Sequence, residues 1–133
     1  MKRSMVLAIG LGSLFWIVGE ATQNLSARAN TADTREVSTP HARRLAKHLE
    51  TIGARFYGSW TCPACHNQLD RFGDPATNRV PYVECNQPKQ QPRQADSCRT
   101  AKLRVYPTWD APGRPRLEGV QTLQALSEWS GLD

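Results

Sequence analysis

With 133 residues, 39% of them hydrophobic and 22% charged, the chain holds enough apolar matter for one domain of roughly 100 residues and has no room for a second. Its net charge of +5 is scattered, with Arg43, Arg44 and nearby Lys47 the one local cluster. That excludes the long basic runs of a nucleic-acid-binding protein and reads as a solvated basic surface, with no nucleic acid expected as partner.

The N-terminal stretch stands apart. Lys2 and Arg3 precede an uncharged run over 4–19, closed by Glu20, and the small-residue site Ala27-Arg28-Ala29 comes next. This is the pattern of an export signal or of a short membrane anchor. The run is shorter than the ~20 residues of a usual spanning helix, which favours cleavage, here after Ala29; the polar stretch before Ala29 is long for a cleavage region, which favours retention. Lys2 and Arg3 suit a positive-inside insertion, so either reading puts the rest of the chain outside the cytoplasm. Residues 1–29 form this segment, 30–38 read as a polar linker without periodicity, and 39–133 form the domain.

An oxidising compartment changes how the four cysteines read. Cys62, Cys65, Cys85 and Cys98 can all be paired there, whereas in the cytosol the same set would suggest a metal.

In chain order, Thr39 caps a first helix with Pro40 at its first position, and Leu45, Leu49 and Ile52 recur at helical spacing until Gly53 ends it. Residues 54–59 carry Phe56 and Tyr57 and form a strand. The chain then enters a helix at Cys62 with Cys65, Leu69 and Phe72 on its inner face, stopped by Gly73-Asp74-Pro75. Residues 80–85 form a second strand, parallel to the first across this crossover. A polar loop over 86–93 leads to a short helix around 95–103. Residues 105–109 and 116–118, joined by Ala111-Pro112-Gly113, suit a hairpin. A last helix starts from Thr122, turns Leu123, Leu126 and Trp129 to one side, and stops at Gly131. The order is α/β, that of a thioredoxin-like fold with a central mixed sheet flanked by helices.

Two thiols separated by two residues at a helix start can close a small disulfide and open it again. Cys62, at the N-cap, lies where unpaired N–H groups and the positive helix end favour a thiolate; Cys65, one turn in, is placed to resolve a mixed disulfide, and Pro63 costs no hydrogen bond. Cys85 and Cys98, thirteen positions apart, suit a structural disulfide worth roughly 3 kcal/mol, or else a second pair relaying electrons.

Gly58-Ser59-Trp60-Thr61-Cys62-Pro63-Ala64-Cys65 and Tyr106-Pro107-Thr108-Trp109 resemble the active-site helix and cis-proline loop of the thioredoxin superfamily. With Phe56-Tyr57-Gly58, the segment from Val80 to Cys85, Cys98 and Leu117-Glu118-Gly119-Val120, most of 41–131 resembles the thioredoxin-like domain fused to bacterial, notably cyanobacterial, vitamin K epoxide reductase homologues. The fused bundle of four spanning helices is missing, so the chain reads as the soluble partner standing alone. The resemblance implies that Tyr106, Pro107 and Thr108 face the cysteines and offer backbone groups to an extended substrate. It also implies a periplasmic or thylakoid-lumen setting and a membrane quinone reductase of that type as partner, beside substrate protein thiols. Relatives with Cys-Pro-His-Cys gain oxidising power from an imidazole, which Ala64 lacks, so a weaker oxidant is expected here; His66 is either an exposed bystander or a partial substitute. Trp60 stands one position earlier than the aromatic of those relatives, and either covers the site or packs in the core.

Cys62 through His66 also spell a c-type haem attachment signature. The methionines, Met1 and Met5, lie in the export segment, which leaves His41 or His48 as sixth ligand, and a strand entering the motif is wrong for a helical cytochrome. Zinc on four cysteines would need a second short Cys-x-x-Cys loop, which Cys85 and Cys98 do not make. Neither cofactor nor metal is expected. The expectation is an extracytoplasmic enzyme that passes disulfides from such a membrane partner to folding proteins; a reductase working in the opposite direction, or a non-catalytic peptide-binding module using the Pro107 groove, are the alternatives.

Overall fold

A computed structural model describes residues 36–133; the expected export segment and the linker through residue 35 lie outside the described residues. Helix α1, Pro40–Thr51, starts as its sequence demands: the Thr39 hydroxyl accepts the Ala42 N–H at 3.0 Å and Pro40 occupies the first turn. Its buried face is Ala42, Leu45, Ala46 and Leu49, with Ile52 half-buried at the C-cap. Strand β1, Arg55–Gly58, then runs into the middle of the sheet.

Helix α2, Pro63–Asp70, crosses from β1 to β2, Tyr82–Glu84, and the two strands are parallel with Phe56 opposite Tyr82 and Gly58 opposite Glu84. β3, Thr108–Asp110, pairs antiparallel on the other side of β1, and β4, Leu117–Glu118, extends it to give the order β2-β1-β3-β4. Helix α3, Pro92–Ala101, packs on the β2 edge, and α4, Leu123–Ser130, closes the chain between its Thr122 cap and left-handed Gly131. This mixed sheet with its four helices is a thioredoxin-like α/β fold.

Phe56 and Trp109, in register on β1 and β3, pack with ring centroids 4.7 Å apart and planes tilted by 45°, and Phe72 meets Trp109 at 6.2 Å; all three are fully buried. Around them gather the α1 face, Cys65 and Leu126. Truncating any of these rings to Ala would cost about 3–5 kcal/mol. One buried polar side chain ties this core together: Gln68 of α2 accepts from Trp109 Nε1 and the Gln121 N–H, and donates to the Gln121 carbonyl.

Several boundaries differ from the sequence-based expectation. α3 begins at Pro92, whose fixed φ suits a first helical turn, and ends at Ala101 before Lys102, which takes a left-handed φ of 50°. β3 starts only at Thr108, because residues 105–107 turn through a loop containing the cis Tyr106–Pro107 peptide. A 3₁₀ turn, Ala76–Arg79, stands before β2, so Val80 caps a turn instead of opening a strand. Phe72 lies beyond α2, yet folds into the core. Val37 and Ser38, within the stretch read as linker, are pinned to the fold: Val37 bridges Asp74, and Ser38 accepts the Ala76 N–H on its hydroxyl at 2.8 Å. Among the described residues no helix is long and apolar enough to cross a membrane.

Candidate active site

The turn between β1 and α2 places Cys62 at the N-cap of α2 in an extended conformation. Its sulfur accepts the Cys65 N–H at 3.2 Å and the Cys65 thiol at 2.6 Å. The two cysteines differ sharply in environment: Cys62 is half-buried and Cys65 fully buried, both as free thiols. Burial pushes the Cys65 thiol up to about 12, helped by its hydrogen bond to Cys62 and by the negative charges of Cys62 and Glu84, against a backbone bond at Ser59 that favours the thiolate. One sulfur is therefore presented as an acceptor at a helix start, with a protonated thiol behind it.

Space behind the pair is tight. A methyl on Gly58 would stand 2.8 Å from the Tyr82 ring and 3.2 Å from Cys65 Sγ, so only glycine lets α2 seat this close to β1.

Glu84 is the site residue that sequence reading passed over. It is 2% exposed, and every bond it accepts bears on this region: Trp60 N–H at 2.9 Å and the Tyr82 hydroxyl at 2.6 Å on Oε2, and Asn86 N–H at 2.7 Å on Oε1. The carboxylate thus holds the loop that delivers Cys62 and the turn that delivers Cys85. Burial and the bond to Glu84 push the Tyr82 phenol well above its usual range. A signal was present, since alternation puts Tyr82 and Glu84 on the face of Gly58, but only strand pairing shows that Cys65 packs there.

The Tyr106–Pro107 peptide is cis and stands opposite the pair, with the Tyr106 carbonyl oxygen 4.0 Å from Cys62 Sγ. Pro107 is buried and its carbonyl accepts the Gly119 N–H at 2.8 Å; Thr108 is buried too and its hydroxyl donates to the Val105 carbonyl at 2.8 Å. Those two hold the loop, while Tyr106, 40% exposed, and Val105, 44% exposed, face outward. Trp60 is 56% exposed and lines an apolar cavity of about 350 Å³ with Cys65, His66 and Leu69, which places it beside the pair and outside the core. His66 Nε2 donates to the Trp60 carbonyl at 2.7 Å, so its ring is turned to the loop backbone.

Cys85 and Cys98 are joined by a disulfide that links the end of β2 to α3, with Cα atoms 5.6 Å apart. With those sulfurs bonded to each other, a four-cysteine zinc site is not available in this state. Thioether attachment of haem fits poorly as well, because the Cys65 sulfur is fully buried against Gly58.

Over 97 residues the chain is 36% identical to the protein named thiol-disulfide oxidoreductase LTO1 of Arabidopsis thaliana, a match that takes in 71% of this chain. It spans only 26% of that relative's length. No family model matches the chain.

Proposed function

From a thioredoxin-like domain that is similar over most of its length to a thiol-disulfide oxidoreductase, we propose that the Cys62–Cys65 pair is an extracytoplasmic disulfide donor to folding substrate proteins. The observation that carries this reading is the asymmetry of the pair: a half-buried Cys62 sulfur at a helix start, backed at 2.6 Å by a fully buried Cys65.

In the oxidised pair, a substrate thiolate attacks Cys62 Sγ; the Cys62–Cys65 bond breaks and Cys65 leaves with the electron pair and takes up a proton. A second substrate thiolate attacks the substrate sulfur of the mixed disulfide. Cys62 then departs as a thiolate, received by the Cys65 N–H and thiol. Two electrons have moved from substrate to pair, with one proton on Cys65 and the other on Cys62 or released to water. The Tyr106 carbonyl beside Cys62 and the exposed Trp60 and Val105 side chains flank the incoming polypeptide. A membrane quinone reductase of the vitamin K epoxide reductase type takes the electrons onward, a partner supported by the resemblance over 41–131. The Lys2-Arg3 run into residues 4–19 supports export or anchoring, hence a periplasmic or thylakoid-lumen setting.

Cys65→Ser protein should accumulate mixed disulfides through Cys62, with substrates and with the membrane partner, and Cys62→Ser protein should accumulate none. Alkylation trapping in cells should find the pair oxidised. A fully reduced pair with a potential near roughly −270 mV would reverse the direction to that of a reductase. Retention of function after Ala replaces both cysteines would leave a peptide-binding module.

A further inference from the structure

The start of α1 and the 3₁₀ turn Ala76–Arg79 enclose a groove of about 600 Å³ that thiol exchange does not use. Four of its lining side chains are cations, Arg43, Arg44, Lys47 and Arg79, and none is acidic; Pro40, Pro75 and Ala76 supply apolar wall. In sequence the first three read as a solvated cluster. Folding adds Arg79 from beyond α2 and makes the cluster concave. Two carboxylates stand at its margin: Glu50, which offsets part of the charge of Arg79 at 3.4 Å, and Asp74, which accepts from the neutral Asn78 amide at 3.4 Å. Arg43, also in the lining, donates to the Ser38 carbonyl. Next to Asp74 lies Val37, 78% exposed and the most exposed of the large hydrophobic side chains described.

The groove and the dithiol lie at opposite ends of the sheet. Arg79 comes shortly before β2 and Cys62 shortly after β1, and these strands are parallel and in register. Among the described residues α1 is the first element and its Pro40 lines the groove; in sequence the uncharged run over 4–19 lies roughly twenty residues before it, a span of at most about 70 Å.

We propose that this groove seats the phosphate of an anionic phospholipid headgroup, laying the α1 end of the domain on a membrane surface and leaving the Cys62 end turned to water. Several cations converging on one concavity suit a phosphodiester, and Val37 and the prolines suit the apolar boundary beneath it. A nucleic acid would call for an extended stripe of cations, which the scattered remaining charge does not provide.

The test uses the full chain and vesicles of phosphatidylcholine alone or mixed with phosphatidylglycerol, with partitioning measured by sedimentation. Neutral vesicles report whatever the apolar N-terminal run contributes. Binding should be stronger to the anionic vesicles, and Arg44→Gln/Lys47→Gln/Arg79→Gln should remove that excess. Each cation near an anionic surface contributes about fivefold, so the triple variant should lose on the order of a hundredfold. A control with the same change in net charge, Lys89→Gln/Arg93→Gln/Arg99→Gln, should keep most of it. Thiol exchange with a soluble substrate should be unchanged in the triple variant and on vesicle-bound protein, which also shows that the variant is folded. Equal binding to both vesicles, or equal losses in the two variants, overturns the proposal. Saturable binding of inorganic phosphate without preference for anionic vesicles would give the groove to a soluble ligand and overturn it as well. Because the readout is partitioning, the result is independent of whether the dithiol donates disulfides.

Discussion

At the scale of the residue, the chemistry turns on how differently one helical turn treats two identical thiols. Cys65 has its thiol pushed up to about 12, and the largest cause, burial, persists when Cys62 is tied up in a mixed disulfide. An attacking sulfur must be a thiolate, and at neutral pH Cys65 is far below its ionisation point. Resolution of a Cys62 mixed disulfide by Cys65 should therefore speed up about tenfold per pH unit between roughly pH 7 and 10, measurable by stopped-flow with a small-molecule adduct. A flat profile would contradict the burial argument. Glu84→Gln should move that profile to lower pH by removing a negative charge that opposes the thiolate. Its new amide would oppose an N–H or the Tyr82 hydroxyl where Glu84 now only accepts, so a stability loss of about 1–3 kcal/mol should accompany it.

At the scale of the element, the site depends on how closely α2 seats on β1. Gly58→Ala places a methyl 2.8 Å from the Tyr82 ring and 3.2 Å from Cys65 Sγ, too close for either to remain in place. Overpacking of this kind costs about 1–3 kcal/mol, and because the displaced atom is the sulfur proposed to resolve mixed disulfides, exchange should slow more than stability suggests. Denaturant melts of the variant alongside its exchange rate check this; a loss of stability with unaltered exchange would mean that Tyr82 alone yields. Elements with local signals were legible. Thr39 and Thr122 cap their helices, Gly131 stops α4, and the α1 leucines keep their period, because capping and amphipathic spacing act within one or two turns. The start of α3, the 3₁₀ turn before β2 and the late start of β3 were not legible. These arise from three prolines, Pro92, Pro75 and Pro107, whose effect depends on what the surrounding chain packs against.

At the scale of the whole molecule, the Cys85–Cys98 disulfide joins the sheet edge to α3 across thirteen positions. Opening it as Cys85→Ser/Cys98→Ser should cost about 3 kcal/mol, seen in urea melts. Below that transition Cys62 and Cys65 should still exchange; a folded variant that no longer passes disulfides would make the second pair an electron relay. The sequence by itself determined the order of the helices and strands, the helix-start position of Cys62 and the spacing that sets Cys65 behind it, since each is written within a few consecutive residues. Tertiary structure alone decided that Glu84 bonds Trp60 across 24 positions and that the Tyr106 carbonyl stands opposite Cys62 across 44. It also decided that Arg79 completes a basic groove with α1. These contacts depend on which strands pair and in what register, and strand pairing is settled by the collective burial of Phe56, Phe72 and Trp109, which no local stretch of sequence encodes.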